Sequence, residues 1–367
     1  MIDTNKSFRL IVAGGGTGGH LFPGIAIAEA LMDINPINRI LFLGTDRPLE
    51  KNILAQTPFC HESIPAGGLK GLNIQTKIKS LFQIPAGIVK AIKIYSQFSP
   101  HLVLGVGGYV SAPCVLAANL MGIPVILQEQ NSIPGLANRL LGKTADRIYV
   151  SFPETCSWFK EKKTIYAGNP VRKSIVQASK NRSTKQNSRF TIFIIGGSQG
   201  AHAINNAMID ALPYLDNHQM VFIHQSGQQD EQLLKEAYQK NGFHADVRSF
   251  FHDMITQYQT ADLIICRSGA STVAELTILG KPTIFIPFPY SADNHQEKNA
   301  RAIVDAGGAE MILEPHLTGQ FIAERICFLA SHQESLEKMK KNSTAFGKPG
   351  AANQIALDCY KLSTITG

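Results

Sequence analysis

Three glycine-rich stretches stand where a backbone could close on phosphate. The first, Gly14-Gly15-Gly16-Thr17-Gly18-Gly19-His20, follows the apolar run Arg9–Ala13 and leads, past Pro23, into a helical pattern over Ile25–Leu31. Glycines let the chain approach a ligand closely, and a helix N-terminus adds unpaired amides and the positive end of a dipole, so a phosphate or diphosphate suits the loop. The same design recurs at Gly105–Tyr109, with Gly107 and Gly108 before Tyr109, and at Gly196–Ala201, with Ser198 and Gln199 inside the loop. Gly14-x-Gly16-x-x-Gly19 also satisfies the dinucleotide fingerprint, although the acidic partner it needs has only Asp46 as a candidate, 27 residues beyond Gly19. A dehydrogenase needs one such loop; three in one chain suggest two phosphate-bearing ligands.

Polar residues cluster around these loops. His20 has the side chain best suited to take a proton near neutrality, or else it hydrogen-bonds phosphate and caps the helix. Gln128-Glu129-Gln130-Asn131 ends a strand and is expected to point polar side chains toward the same place. Arg172, in Gly168-Asn169-Pro170-Val171-Arg172, is placed to meet an anion or a departing negative charge, or is a solvated linker arginine. Asp262–Glu275 reads as a strand, a Ser-Gly turn and a helix start; Glu275 in that helix can accept two hydrogen bonds from a ribose diol, or simply answers the helix dipole. Asp293–Asn299, rich in amides, suits sugar hydroxyls. No cluster has metal-ligand spacing, and no cofactor is expected.

Holding these residues in place requires α/β architecture. Short β-branched runs at Phe8–Ala13, Arg39–Leu43, Leu102–Val106, Val125–Gln128 and Arg147–Ser151 alternate with helical patterns, and a second series follows at Phe190–Ile195, Gln219–His224, Asp246–Phe250, Asp262–Cys266 and Pro282–Pro287. Such alternation predicts two doubly wound parallel sheets, with ligands beyond the carboxyl ends of their strands and the chemistry in a cleft between two Rossmann-like domains. The boundaries follow: an N-terminal domain over 1–168, a linker over 169–189 whose Lys173–Arg189 portion has five basic residues and no acid, and a C-terminal domain over 190–350. A last helix within 351–367 is expected to return to the first domain.

The 367 residues are 44% hydrophobic and 17% charged, enough to bury two cores, which excludes bulk disorder. A net charge of +7 permits an anionic partner without choosing one. Six scattered cysteines and the absence of a secretory pattern at the N-terminus indicate reduced thiols and a cytosolic protein. The uncharged stretches Leu10–Ala28 and His101–Gln128 are long enough to span a membrane, but their glycines and prolines fit buried strand, loop and helix instead. Leu69–Ile94 mixes apolar residues with Lys70, Lys77, Lys79, Lys90 and Lys93 and no acid. It is either an ordinary core helix with solvated lysines or a segment that lies on an anionic membrane surface.

The ordered set GGGTGGHLFPG (14–24), GVGGY (105–109), QEQNSIPGLANR (128–139), GNPVR (168–172), GGSQGA (196–201), CRSGASTVAE (266–275) and DNHQEKNA (293–300) resembles the MurG family, the bacterial UDP-N-acetylglucosamine:undecaprenyl-diphospho-muramoylpentapeptide N-acetylglucosaminyltransferases. The resemblance implies a GT-B fold and inverting transfer of GlcNAc from UDP-GlcNAc to the muramoyl 4-hydroxyl of lipid I, giving lipid II in peptidoglycan synthesis. It places the donor near Ser198 and Gln199 (diphosphate), Phe251 and the Ala270, Ser271, Thr272, Val273, Ala274 turn (uridine), Glu275 (ribose), and Gln296 and Asn299 (GlcNAc), with Thr17, Gly18, Gly19, Asn131 and Arg172 contributing. Gly15, Gly16, His20, Gly107, Gly108 and Tyr109 would hold the acceptor diphosphate. His20 is the proposed base and Glu129 its rival. Because lipid I is membrane-anchored, the resemblance also implies peripheral docking on the cytoplasmic face of the inner membrane through Leu72, Ile74, Ile78, Leu81 and Phe82 with Lys70, Lys77 and Lys79. It implies neither a metal nor a nucleic-acid partner, and leaves the oligomeric state open.

Overall fold

The computed structural model describes residues 6–16, 18–66, 74–181, 189–197 and 200–365, with the backbone alone over 74–82 and 364–365. The chain forms two compact units, Met1–Lys173 with Lys348–Gly367, and Ser174–Gly347.

In the first unit, strands β1 (Arg9–Gly14), β2 (Arg39–Gly44), β3 (Cys60–Ser63), β4 (Leu102–Gly107), β5 (Val125–Glu129), β6 (Arg147–Val150) and β7 (Thr164–Tyr166) form one parallel sheet ordered 3-2-1-4-5-6-7. Alternate residues of β1 enter different cores, as the period of a strand requires. Leu10 and Val12 pack with Leu21, Ile25 and Leu31 of the helix Gly18–Ile34, while Ile11 and Ala13 pack with Ala91, Tyr95 and Val115 of the helices Ile74–Phe98 and Ser111–Leu120. Both faces are covered, which is why the central strands read as unbroken apolar runs.

The last helix, Ala351–Ile365, joins the first of these cores through Ile355, Ala356 and Cys359. Two hydrogen bonds pin it: Asn38 Nδ2 donates to Tyr360 Oη at 2.6 Å, and Tyr149 Oη to Asp358 at 2.9 Å. Where this returning segment passes Gly168, at φ +87°, a Cβ on the glycine would lie 2.3 Å from Lys348 Cβ. Only glycine admits that crossing.

In the second unit, β8 (Phe190–Ile195), β9 (Met220–Gln225), β10 (His244–Arg248), β11 (Leu263–Cys266), β12 (Thr283–Phe285) and β13 (Glu310–Met311) form a parallel sheet ordered 10-9-8-11-12-13. Counted within the unit, that is the 3-2-1-4-5-6 order of a dinucleotide-binding fold. The stretch read as a linker contains the helix Lys173–Lys180, with Ile175 buried. Among the described residues no helix is long and apolar enough to cross a membrane.

Candidate functional site

In a sheet of this order the strand sequence reverses between the first and fourth strands, and the loops after those strands diverge to leave a site. In the first unit these are the loops after β1 and β4. The register shifts at Gly14, which pairs with Gly107, so the two glycine loops leave the sheet side by side. Ser111, fully buried, ties them: its Oγ accepts from Gly107 N–H at 3.0 Å and lies 2.8 Å from the carbonyl oxygens of Ala13 and Gly107. Gly107 and Gly108 have φ of +96° and +80°, and a Cβ on Gly108 would lie 2.4 Å from the Gly15 carbonyl oxygen.

Beneath the first loop lies a residue that sequence reasoning missed. Glu50 is completely buried in the first turn of the helix Pro48–Leu54, and its carboxylate accepts from Gly16 N–H (2.5 Å), Thr45 N–H (2.7 Å) and Thr45 Oγ1 (2.6 Å). It props the glycine loop from behind. Its only sequence signal was a helix-opening Pro48-Leu49-Glu50, which says nothing about a loop 34 residues earlier.

The helix after the loop starts at Gly18 rather than at Ile25, so Pro23 lies inside it and His20 lies in its first turn. Pro23 lacks an N–H, which removes only one bond of the opening turns. His20 is half-buried against Gly107, where a Cβ would lie 2.9 Å from His20 Nδ1. Arg172 places its guanidinium 4.7 Å from the ring of Phe22 on the same helix.

The polar run that ends β5 turns inward, against expectation: Gln128, Glu129 and Gln130 are each almost fully buried. Glu129 collects three donors, Asn131 N–H (2.9 Å), Gly135 N–H (3.1 Å) and Asn138 Nδ2 (2.8 Å). These three bonds tie Glu129 to the folding of the loop over 131–138. Gln130 bonds His20 directly, with Oε1 2.9 Å from Nδ1. The structure therefore gathers Gly15, Gly16, His20, Gly107 and Gly108, with Gln130 behind them. Tyr109 is exposed beyond the second loop, and Thr17 lies outside the described residues.

The second unit repeats the plan with the loops after β8 and β11. Gly197 and Gly200 have φ of +92° and +77°, and Gln225, buried, donates from Nε2 to Gly197 O at 2.9 Å and accepts Phe251 N–H at 3.0 Å. Asn205 donates to Ser226 O (2.9 Å) and to Asp230 (2.7 Å), and His202 meets Asp230 at 2.9 Å. Burial raises the Asp230 pKa, but the bonds from His202 and Asn205 outweigh it and hold the carboxyl below its usual value. His224, also bonded to Asn205, is held down to about 3 by burial and stays neutral. Ser198 and Gln199 lie outside the described residues.

After β11, the helix Ala270–Leu279 opens behind an extended Gly269 with no side-chain cap, which sets the positive end of its dipole at this loop. Ser271, Thr272 and Ala274 are half-buried along it, Ala270 and Val273 are buried, and Glu275 is buried with Oε2 accepting from Tyr258 Oη at 3.2 Å. Phe251 turns its ring into the core against Phe193. Gln296 and Asn299 hook their helix to the loops after β11 and β12: Gln296 Oε1 accepts Phe288 N–H at 3.0 Å, Ser268 Oγ donates to Gln296 O at 2.8 Å, and Asn299, fully buried, donates to Ser268 O at 3.3 Å. Just before them Asp293 and Asn294 hold φ of +52° and +56°, a strained pair of the kind that clusters at binding sites. Among the described residues no group of three or more His, Cys, Asp or Glu could hold a metal.

Two Rossmann-type units, each a parallel sheet with glycine loops at its switch point, make up the GT-B fold. Residues 10–150 match the glycosyltransferase family 28 N-terminal domain and residues 191–355 the family 28 C-terminal domain, and the chain belongs to that family. It is 45% identical over 349 residues to the UDP-N-acetylglucosamine–N-acetylmuramyl-(pentapeptide) pyrophosphoryl-undecaprenol N-acetylglucosamine transferase of Citrifermentans bemidjiense, covering 95% of this chain and 98% of that protein. A transferase of the same name from Syntrophus aciditrophicus is 44% identical over 356 residues, covering 96% and 98%. The crystal structure of Acinetobacter baumannii MurG superposes with a TM-score of 0.79 at 28% identity, covering 96% of this chain and 99% of that one.

Proposed function

We propose that this chain is an inverting N-acetylglucosaminyltransferase that moves GlcNAc from UDP-GlcNAc to the 4-hydroxyl of the MurNAc-pentapeptide of lipid I, forming lipid II. The observation that carries this reading is the near full-length similarity to transferases named for that reaction, joined to a phosphate-type loop at the switch point of each unit. The second unit holds UDP-GlcNAc, with the N-terminal amides of the helix Ala270–Leu279 toward the diphosphate and Glu275 on the ribose. The first unit holds the acceptor diphosphate on its glycine loops. His20 Nε2 takes the proton of the acceptor hydroxyl as its oxygen bonds to the anomeric carbon and UDP departs with the electron pair of the broken C1–O bond. Helix amides and Arg172 meet the charge that develops on UDP. This reading calls for no metal.

The test is UDP release from UDP-GlcNAc with and without a lipid I analogue. Acceptor-dependent release is expected, and Glu275→Ala is expected to raise the KM for UDP-GlcNAc about tenfold or more, as for loss of a hydrogen bond to a charged group. Wild-type protein that releases no UDP, yet is stabilised by NAD(P) and not by UDP-GlcNAc, would overturn the proposal.

A membrane-anchored acceptor also requires docking on the bilayer. In the first unit the helix Ser111–Leu120 packs between Ile74–Phe98 and Leu136–Leu141, and these elements expose Val89, Leu116, Leu120, Met121, Leu136 and Leu140. Ile74, Lys77, Ile78, Lys79, Leu81 and Phe82 belong to the first of these helices by backbone, while Lys70 and Leu72 lie outside the described residues. An apolar face beside lysines suits an anionic surface, and we place the protein peripherally at the cytoplasmic face of the inner membrane. Charging Leu120 and Leu140 to glutamate is expected to weaken binding to phosphatidylglycerol vesicles on the order of tenfold, because two apolar insertions are lost. Undiminished vesicle binding would refute the docking face.

A further inference from the structure

The buried amides behind His20 form a chain whose direction is fixed at both ends by backbone carbonyls. Gln130 Nε2 donates to Val106 O at 2.7 Å and also meets Gln128 Oε1. Gln128 Nε2 in turn lies 3.1 Å from Ser151 Oγ and 3.2 Å from Asn169 Oδ1. Ser151 Oγ donates to Glu129 O at 2.8 Å, so it can only accept from Gln128. Turning either glutamine over would set a carbonyl oxygen against a carbonyl oxygen in a site where both side chains are within 1% of complete burial. Gln130 Oε1 is therefore the atom that faces His20, and an amide oxygen only accepts. The proton of the neutral imidazole must sit on Nδ1, leaving the Nε2 lone pair open; among the described residues Nε2 has no hydrogen-bond partner.

We infer that Gln130 is a positioning residue that locks His20 in its Nδ1–H tautomer, so that Nε2 is a ready proton acceptor. This rests on the reading of His20 as the base. An unrestrained neutral histidine favours the Nε2–H tautomer, in which the nitrogen nearest the acceptor hydroxyl already carries a proton and cannot act. The role matches that of a base-orienting partner in other proton-transfer sites, filled here by a neutral amide whose own orientation is enforced one shell deeper by Gln128.

The experiment is ¹⁵N NMR of the full chain labelled at histidine, with His20 assigned by its loss in His20→Gln, alongside kinetics of Gln130→Met. Wild-type His20 is expected to show a protonated Nδ1 and a bare Nε2. In Gln130→Met, which keeps the length of the side chain and removes the acceptor, the proton is expected to move toward Nε2, with kcat down about 10- to 100-fold, a share of what a general base contributes. The KM for UDP-GlcNAc is expected to stay within about twofold, because Gln130 belongs to the first unit and the loops proposed for the donor to the second. A wild-type His20 protonated on Nε2, or a Gln130→Met protein with wild-type kcat and an unchanged tautomer, would overturn the inference. Should the variant fail to fold, the wild-type spectrum decides alone. Wild-type activity in His20→Ala would remove the base reading instead, while the tautomer measurement would still stand.

Discussion

His20→Ala is expected to lower kcat about 10²- to 10⁴-fold, the range that a positioned general base supplies, while leaving the KM for UDP-GlcNAc nearly unchanged. The split follows from where the residue sits. Its ring lies in the first turn of the helix Gly18–Ile34, against Gly107 and Gln130, all in the first unit, whereas the loops proposed for the donor belong to the second. On the proposed function, removing the imidazole deletes the proton acceptor and leaves the loops proposed for the donor unaltered. Little stability should be lost, because His20 is only half-buried and its side chain is held by the bond to Gln130. Steady-state kinetics of UDP release with saturating lipid I analogue, together with a melting curve, check both statements. A variant with more than a tenth of wild-type kcat would rule out His20 as the base.

Gly108→Ala is expected to act on shape rather than on chemistry. A non-glycine residue at φ +80° and a Cβ 2.4 Å from the Gly15 carbonyl oxygen must push the two glycine loops apart. Left-handed backbone strain and overpacking together destabilise by about 2–5 kcal/mol. The second loop also carries Gly107, whose N–H is fixed by buried Ser111, so the displacement cannot be absorbed locally. We expect activity to fall more than about 100-fold, since ångström-scale misplacement of reacting groups has effects of that order, and the first unit to unfold at lower denaturant. Gly122→Ala is the matched control: φ there is +66°, but no atom lies within 4 Å of the added Cβ. Equal behaviour of the two variants would show that the close approach of Gly108 to Gly15 has no functional weight.

The central strands were legible because both of their faces are buried. Phe190–Ile195 is found as expected, and the other central strands of the two sheets fall within one or two residues. The three strands with no clear sequence signal, Cys60–Ser63, Thr164–Tyr166 and Glu310–Met311, are all sheet edges. They are short and only partly buried, so they carry no apolar run, and pairing with a neighbour already in place is what makes them strands. His244–Arg248, another edge, begins two residues before its expected start for the same reason.

The glycine loops and the helix bearing Glu275 could be read because their chemistry needs particular residues at particular spacings. Glu50, Ser111 and Tyr258 could not. Each bonds to a distant segment, Glu50 to Gly16, Ser111 to Ala13 and Tyr258 to Glu275, and such support depends on tertiary contact that no local pattern records. The expectation for Gln128–Gln130 went astray differently. A strand end in an open sheet does approach the ligand, but here the loop that follows folds over Glu129 and turns the neighbouring amides inward.

The return of Ala351–Ile365 to the first unit has a consequence for the order of synthesis. Ile355, Ala356, Cys359 and Tyr360 complete a core whose other members begin at Phe8. The residues of Ser174–Gly347 are all translated before that core is whole. Although domains generally fold from the N-terminus as the chain emerges, here the second unit is the first to have its full complement of residues. The unit that carries His20 must wait on the ribosome for its final helix.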